Sequence, residues 1–383
     1  MLYLDNAATT PVRPEVLEAM MPFLTRWFGN PSSHHTVGEA AAEALADARA
    51  RVARILGMRA GDIVFTSGGT EANNLAVKGI SIAARRERGA GSLLTTGIEH
   101  ESVLQSADYL VRVHGFAEIH APVDETGRVA PETVDALLAL RGDTALVSVG
   151  YANNEVGTVQ DVAGIAAVAH RYGVPLHVDA VQAAGWLPLS AAGLGADAIS
   201  LAGHKLGAPK GTGVLGVRGR IPLEPLLHGG GQERGRRSGT EDVAGAVGLA
   251  TALELAEAER GASAARVGAL VRDFIHRVLT DAAGARLTGD PVHRLPGTAS
   301  FTFEGTSGEA ILLELERRGV VSSSGSACAA GSDEPSHVLL AMGVPPEVAQ
   351  TAVRFTFPHD LAQPLDDVAA AVAESVRAVR SGR

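Results

Sequence analysis

Short apolar runs alternate with helix-period stretches through the first half of this chain, and few folds accommodate that rhythm. Six runs of four or five residues have strand character: Asp62–Thr66, Ser92–Thr96, Ala145–Val149, Val174–Val178, Ala198–Leu201 and Val214–Val217. Between them lie helical patterns such as Val37–Leu56, where Val37, Ala41, Leu45, Ala48, Val52 and Ile55 form one apolar face before Gly57. Strands separated by helices of this length build βαβ units, so the pattern predicts an α/β protein with a large, mainly parallel sheet and helices on both faces. The texture changes near Glu241. Two Ala-rich helices, Val243–Ala258 and Ala262–Thr280, lead into a strand at Ala299–Phe303 and helices near Glu309–Arg318 and Asp366–Val379. The expectation is a large domain over residues 15–255 and a smaller α+β domain from residues 1–14 and 256–383.

Charge and cysteine content exclude several function classes. With 33 Lys+Arg against 43 Asp+Glu the net charge is −10, which disfavours direct nucleic-acid binding through phosphate neutralisation. No apolar stretch reaches the ~18 residues of a membrane span, and the start MLYLDNAATT lacks the basic region of a signal peptide. One cysteine, Cys328, cannot build a disulfide framework or a thiolate metal site within one chain, and none of the 13 histidines falls in an H-E-x-x-H motif. These features predict a cytoplasmic chain that binds no membrane and no metal.

The chemistry concentrates at predicted strand ends. Only three lysines occur, Lys78, Lys205 and Lys210. Lys205 follows the strand Ala198–Leu201, where α/β sheets gather their active groups, and a partly desolvated amine there can form a Schiff base. Asp179 closes another apolar strand, where a carboxylate needs either a cation or a helix to cap. The turn Ser67-Gly68-Gly69-Thr70 opens a helix and presents backbone N–H groups suited to phosphate, or is a plain Ser/Thr-capped turn. His100 follows a third strand and could stack on a flat cofactor, relay protons or serve structure alone. The G-x-G-x-x-G match at Gly211–Gly216 precedes a strand rather than a helix, so it does not signal a dinucleotide. Cys328 sits in Val321–Pro335, a Ser/Gly/Ala-rich stretch with the composition of a mobile surface loop, where a thiol can visit a site and then meet partners.

Taken in order, the motifs resemble one family along the whole chain. They include Tyr3–Pro11 (YLDNAATTP), Gly29–Ser33 (GNPSS), Thr66–Asn74 (TSGGTEANN), Asn153–Thr158 (NNEVGT) and His177–Gln182 (HVDAVQ). Gly203–Lys205 (GHK), Pro209–Gly213 (PKGTG), Arg237–Thr240 (RSGT), Ser324–Cys328 (SGSAC) and Glu334–His337 (EPSH) complete them. The chain is similar to pyridoxal-phosphate (PLP)-dependent cysteine desulfurases of the NifS/IscS-like type, within the class V aminotransferases of fold type I. That resemblance implies specific roles. Lys205 would hold PLP and shuttle the Cα proton, Asp179 would pair with the pyridine nitrogen, Gln182 would contact the phenolic oxygen and His100 would stack on the ring. Gly69, Thr70 and His204 would receive the phosphate, with Thr240 supplied by the second subunit of a homodimer. Asn154, which also belongs to the cofactor site, and Arg354 would orient the carboxylate of L-cysteine, and Cys328 would take its sulfur and pass it to acceptor proteins. The chain departs from the family pattern in having Ala202 for serine, Gly69 where alanine is common, and Thr356-Phe-Pro358 for Ser-Leu-Gly. Other readings are a selenocysteine lyase or another class V aminotransferase, and a thiol redox protein or hydrolase using Cys328 with His337.

Overall fold

The computed structural model describes residues 1–324 and 334–382. Seven strands form the large sheet: β1 (Ile63–Thr66), β2 (Ser92–Thr96), β3 (Ala117–Ala121), β4 (Thr144–Gly150), β5 (Leu176–Asp179), β6 (Ala198–Ala202) and β7 (Gly213–Val217). Their order is β1-β7-β6-β5-β4-β2-β3, parallel throughout except for β7, which runs against both of its neighbours. β2, β5 and β6 are buried along their whole length, as expected of parallel strands covered on both faces.

Six of the seven strands match the sequence reading to within two residues at either end. The seventh, β3, was not foreseen: it is the sheet's edge, largely half-exposed, and reads AEIHA with a glutamate and a histidine in place of an apolar run. The helix Thr36–Leu56 ends as its sequence predicts, with Gly57 in the left-handed conformation (φ 61°) that a side chain would strain. His35 caps its start by accepting from the Gly38 N–H.

The two Ala-rich helices expected after Glu241 are one helix, Val243–Asp281, of 39 residues. Gly261 lies within it and does not end it, because buried residues on both sides keep the rod packed. The rod is about 58 Å long at 1.5 Å per residue. Its first part, through Ala256, belongs to the core around the large sheet. Its later part, from Val267 to Val278, belongs to a second core with Leu4, Phe301, Phe355, Phe357 and Val372. That second core covers a three-stranded antiparallel sheet in which Thr298–Phe303 lies between Ala285–Leu287 and Val353–Thr356. Phe274 meets Phe355 and Phe357 edge-on at centroid separations of 5.3 and 5.4 Å, a favourable arrangement for aromatic quadrupoles. The N-terminal residues Leu2–Tyr3 pair with Val320–Val321, and the chain then runs toward the end of the large sheet. Among the described residues no helix is long and apolar enough to cross a membrane.

Candidate active site

Five of the six parallel strands deliver a segment into one cavity at their carboxyl ends. Ser67–Thr70 follows β1, Ile98–His100 follows β2, Ala152–Asn154 follows β4, Val181–Gln182 follows β5 and His204–Lys205 follows β6. With Ala7, Ala8 and Arg354 they enclose about 570 Å³, the size of a cofactor site at the place where α/β sheets put one.

Asp179, the last residue of β5, is 9 % exposed. Its Oδ1 accepts from the Val181 N–H at 3.0 Å, and its Oδ2 accepts from Asn73 Nδ2 at 2.6 Å. The carboxylate is therefore fixed by two neutral donors. His100 caps the helix Glu101–His114: the Ser102 N–H donates to its Nδ1 at 3.1 Å, so the proton belongs on Nε2. Glu99 beside it is a different case. Burial, together with the Asp179 charge, raises its carboxyl to about 8 although Thr96 donates to it at 2.7 Å, so it is a neutral acid at physiological pH.

Lys205 lies in the short turn Gly203–Lys205 after β6. Its Nζ donates to the backbone carbonyls of Ala7 and of Ala8, the latter at 2.9 Å. Gln182 Nε2 donates to the same Ala7 oxygen at 3.1 Å. The N-terminal strip thus forms one wall, with the amine parked on it. Burial and the neighbouring Lys205 and Lys210 cations lower His204 to about 4. Its ring is neutral at physiological pH and faces the Thr9 hydroxyl at 3.2 Å.

At the other end of the cavity the turn Ser67–Thr70 starts a helix. Gly69–Asn74 continues through a π turn at Leu75–Gly79 into Ile80–Arg88, with helical dihedrals at both junctions. The first N–H groups of such a rod lack intrahelical acceptors and sit at its positive end. Glu71 would oppose an anion there. Burial raises its pKa, but bonds from Arg237 (Nε–Oε1 2.9 Å) and Ser67 outweigh that effect and leave it below the usual range, its charge paired with Arg237. Gly69 has no room for a larger residue: an added Cβ would stand 2.8 Å from Val181 Cγ2 and 3.3 Å from Ala202 Cβ.

Arg354 enters from the small sheet, 2 % exposed. Its Nη2 meets Asp5 Oδ1 at 2.7 Å and its Nη1 donates to the Asn154 carbonyl at 2.9 Å. Sequence reasoning placed Asp5 in a motif without giving it a role, and gave Asn73 and Glu99 none. Each is a polar residue beside a recognised one, and only the folded geometry shows the contact.

Lys205, His100, Gly69, Thr70, Asn154, Asp179, Gln182, His204 and Arg354 therefore line one cavity. Thr240 does not. It lines a separate space of about 150 Å³ with Ser67, Gly211 and Arg237, apart from the cavity of its own chain. Cys328 lies outside the described residues. The residues bracketing its segment do reach the cavity wall: Ser323 and Arg354 exchange backbone hydrogen bonds (3.2 and 2.6 Å), while Ser336 donates to Glu155 at 2.5 Å and His337 Nε2 to the Glu99 carbonyl at 3.0 Å. No cluster among the described residues could hold a metal ion.

The donor set suits a flat, phosphorylated pyridine: a carboxylate for a ring nitrogen, an imidazole, an amide, an amine and a helix start at the far end. The chain belongs to the class-V aminotransferase family, whose model matches residues 2–368, and with it to the PLP-dependent enzymes. Within that family it is 43 % identical over 355 residues to the cysteine desulfurase IscS of Dictyoglomus turgidum, covering 93 % of this chain and 89 % of that one. It is 44 % identical to the IscS-like cysteine desulfurase of Mycobacterium tuberculosis, covering 99 % of this chain and 98 % of the relative. The solved structure of a NifS-like protein superposes over the full length of both chains with a TM-score of 0.89 at 35 % identity.

Proposed function

We propose that the chain is a cysteine desulfurase that converts L-cysteine to L-alanine and carries the released sulfur as a persulfide on Cys328. The observation that carries this reading is the convergence of Lys205, Asp179 and Arg354 on a single cavity. PLP, when bound, supplies an electron sink for the carbon bearing the substrate's amino group. Asp179 would hold its ring nitrogen, Gln182 its phenolic oxygen, His100 its ring face, and Thr70, Gly69 and His204 its phosphate. Arg354, steadied by Asp5 and the Asn154 carbonyl, directs its guanidinium at the substrate carboxylate, with Asn154 beside it. The Lys205 amine removes the Cα proton and returns it. Before that proton returns, the Cys328 thiolate would form an S–S bond with the substrate sulfur as the Cβ–S bond breaks, the electron pair of that bond staying with the carbon frame, where a proton on Cβ completes the alanine methyl group.

Cys328 follows Ser323 by five residues, at most about 18 Å of extended chain. The anchors of its segment at Arg354 and Glu99 support delivery of the thiol to the cavity mouth. A homodimer is supported by an exposed apolar stripe on the helix Pro14–Thr25: Leu17, Met21 and Leu24, with Trp27 and Phe28 beyond it. Thr240, outside its own chain's cavity, is placed by this reading in the partner's site. The persulfide would pass to acceptor proteins in the cytoplasm, such as iron–sulfur scaffolds or tRNA-thiolating enzymes.

The decisive experiment is Cys328→Ser. The variant should bind PLP and show its visible absorbance, yet release no alanine from cysteine. Full turnover would overturn the role of Cys328, turnover dependent on a keto acid would favour an aminotransferase, and a protein that binds no PLP would favour a thiol enzyme.

A further inference from the structure

Asn73 lies within the Thr66–Asn74 motif, but neither the sequence analysis nor the reading above gives it a role. It is 1 % exposed, on the helix Gly69–Asn74, and lines the cavity. Both of its amide hydrogens are used: one goes to Asp179 Oδ2 at 2.6 Å, the other to Ser102 Oγ at 2.9 Å. The Ser102 hydroxyl lies 2.8 Å from His100 Nδ1, which already accepts the Ser102 N–H. With its oxygen receiving from Asn73, the hydroxyl points its own proton at that nitrogen. The result is a directed chain: Asp179 accepts from Asn73, Asn73 donates to Ser102, and Ser102 donates to His100. The amide cannot be turned over, because its oxygen would then face a carboxylate oxygen at 2.6 Å. The arrangement also leaves Asn73 Oδ1 buried with no hydrogen-bond partner among the described residues. An orphaned buried carbonyl is unfavourable, and a fold that tolerates one at an active site is holding the donors where they are needed.

We propose that Asn73 is a positioning residue that ties Asp179 to His100, fixing the rotamer of the carboxylate and, through Ser102, the plane of the imidazole. The two groups that grip the cofactor ring, one at its nitrogen and one on its face, are thereby held at a set distance and angle by a single side chain. The inference rests on the PLP reading of the cavity. It concerns placement of the ring, whereas the identity of the substrate concerns Cys328 and Arg354.

The test compares Asn73→Ala, Ser102→Ala, the double variant and Asn73→Asp. Apoenzyme reconstituted with PLP gives a dissociation constant, and the circular dichroism of the bound cofactor's visible band reports how the ring is held. Asn73→Ala should weaken PLP binding about tenfold, diminish that band, and lower kcat about tenfold with KM for cysteine within twofold. Ser102→Ala should do less. The double variant should match Asn73→Ala, because both act through one chain. Asn73→Asp is isosteric but sets a carboxylate against Asp179, so it should bind PLP more weakly than Asn73→Ala. Folding is checked by far-ultraviolet dichroism, and Ser102→Thr, which keeps the hydroxyl, should restore the wild-type band. A folded Asn73→Ala with wild-type affinity, band and kcat would overturn the proposal, as would strictly additive effects in the double variant. Should the wild-type enzyme bind PLP yet leave cysteine untouched, the desulfurase reading fails while affinity and dichroism still judge Asn73.

Discussion

Two arginines with buried guanidinium groups, Arg49 and Arg354, each pair with a carboxylate, and the two pairs are built differently. Arg49 and Glu233 meet in a closed fork, Nη1–Oε2 2.6 Å and Nη2–Oε1 2.8 Å. The Ile63 carbonyl and the Phe65 N–H take up further capacity of the pair, and Phe65 lies against the guanidinium. Arg354 and Asp5 meet through one bond, with a backbone carbonyl on the other amine, at the wall of the main cavity. The first pair faces back on itself and fastens the helix Thr36–Leu56 to β1 and to the segment around Glu233. The second stands at the cavity wall, where the reading proposed above brings the substrate carboxylate. Burial alone does not distinguish a staple from a binding group; the geometry of the partner does.

That contrast can be broken by substitution. At the open site, Lys205→Ala should abolish the cofactor's Schiff-base absorbance and reduce turnover by about 10³-fold or more, with the fold retained. Persistence of that absorbance would refute the assignment of Lys205. At the closed site, Arg49→Ala strands the Glu233 charge and should cost about 3–5 kcal/mol in urea denaturation, while the KM of the molecules that remain folded is unchanged. A rise in KM without loss of stability would make Arg49 a binding group and erase the distinction.

Glu99 sharpens the comparison, because here the cavity itself works against stability. Its folded-state value, about 8, lies above the ordinary 4.5. The native protein keeps a proton that the unfolded chain releases, so stability falls as pH rises from about 4.5 to 8 and the loss is complete above that window. Glu99→Gln should be near neutral at the acid end of the window and stabilising by about 3 kcal/mol at neutral pH, read from melting curves across that range. A pH-independent effect would show that the carboxyl is not held neutral. The smallest effect is expected for Arg354→Lys, which keeps the charge but loses the planar fork: KM for cysteine should rise about tenfold with little change in kcat.

Much of this site was legible before the fold was known, because strand ends are visible as the edges of apolar runs. Lys205, Asp179 and His100 each follow such a run, and their meeting at one sheet edge follows from parallel topology. What was not legible belongs to contacts that bridge distant segments. Asn73 reaches Asp179 across 106 positions and Arg354 reaches Asp5 across 349. No local pattern encodes either. The edge strand β3 escaped for the opposite reason, since its half-exposed face accepts polar residues and dilutes the apolar signal. The two Ala-rich helices expected after Glu241 are one, because packing along Val243–Asp281 outweighs the cost of about 1 kcal/mol that Gly261 carries inside a helix.

The long helix Val243–Asp281 carries a consequence for how the molecule can be divided. One axle serves both cores, so either half cut away from the other would trail a bare apolar stub into solvent. Excised pieces should be sticky rather than autonomous, and the intact chain should melt as a unit.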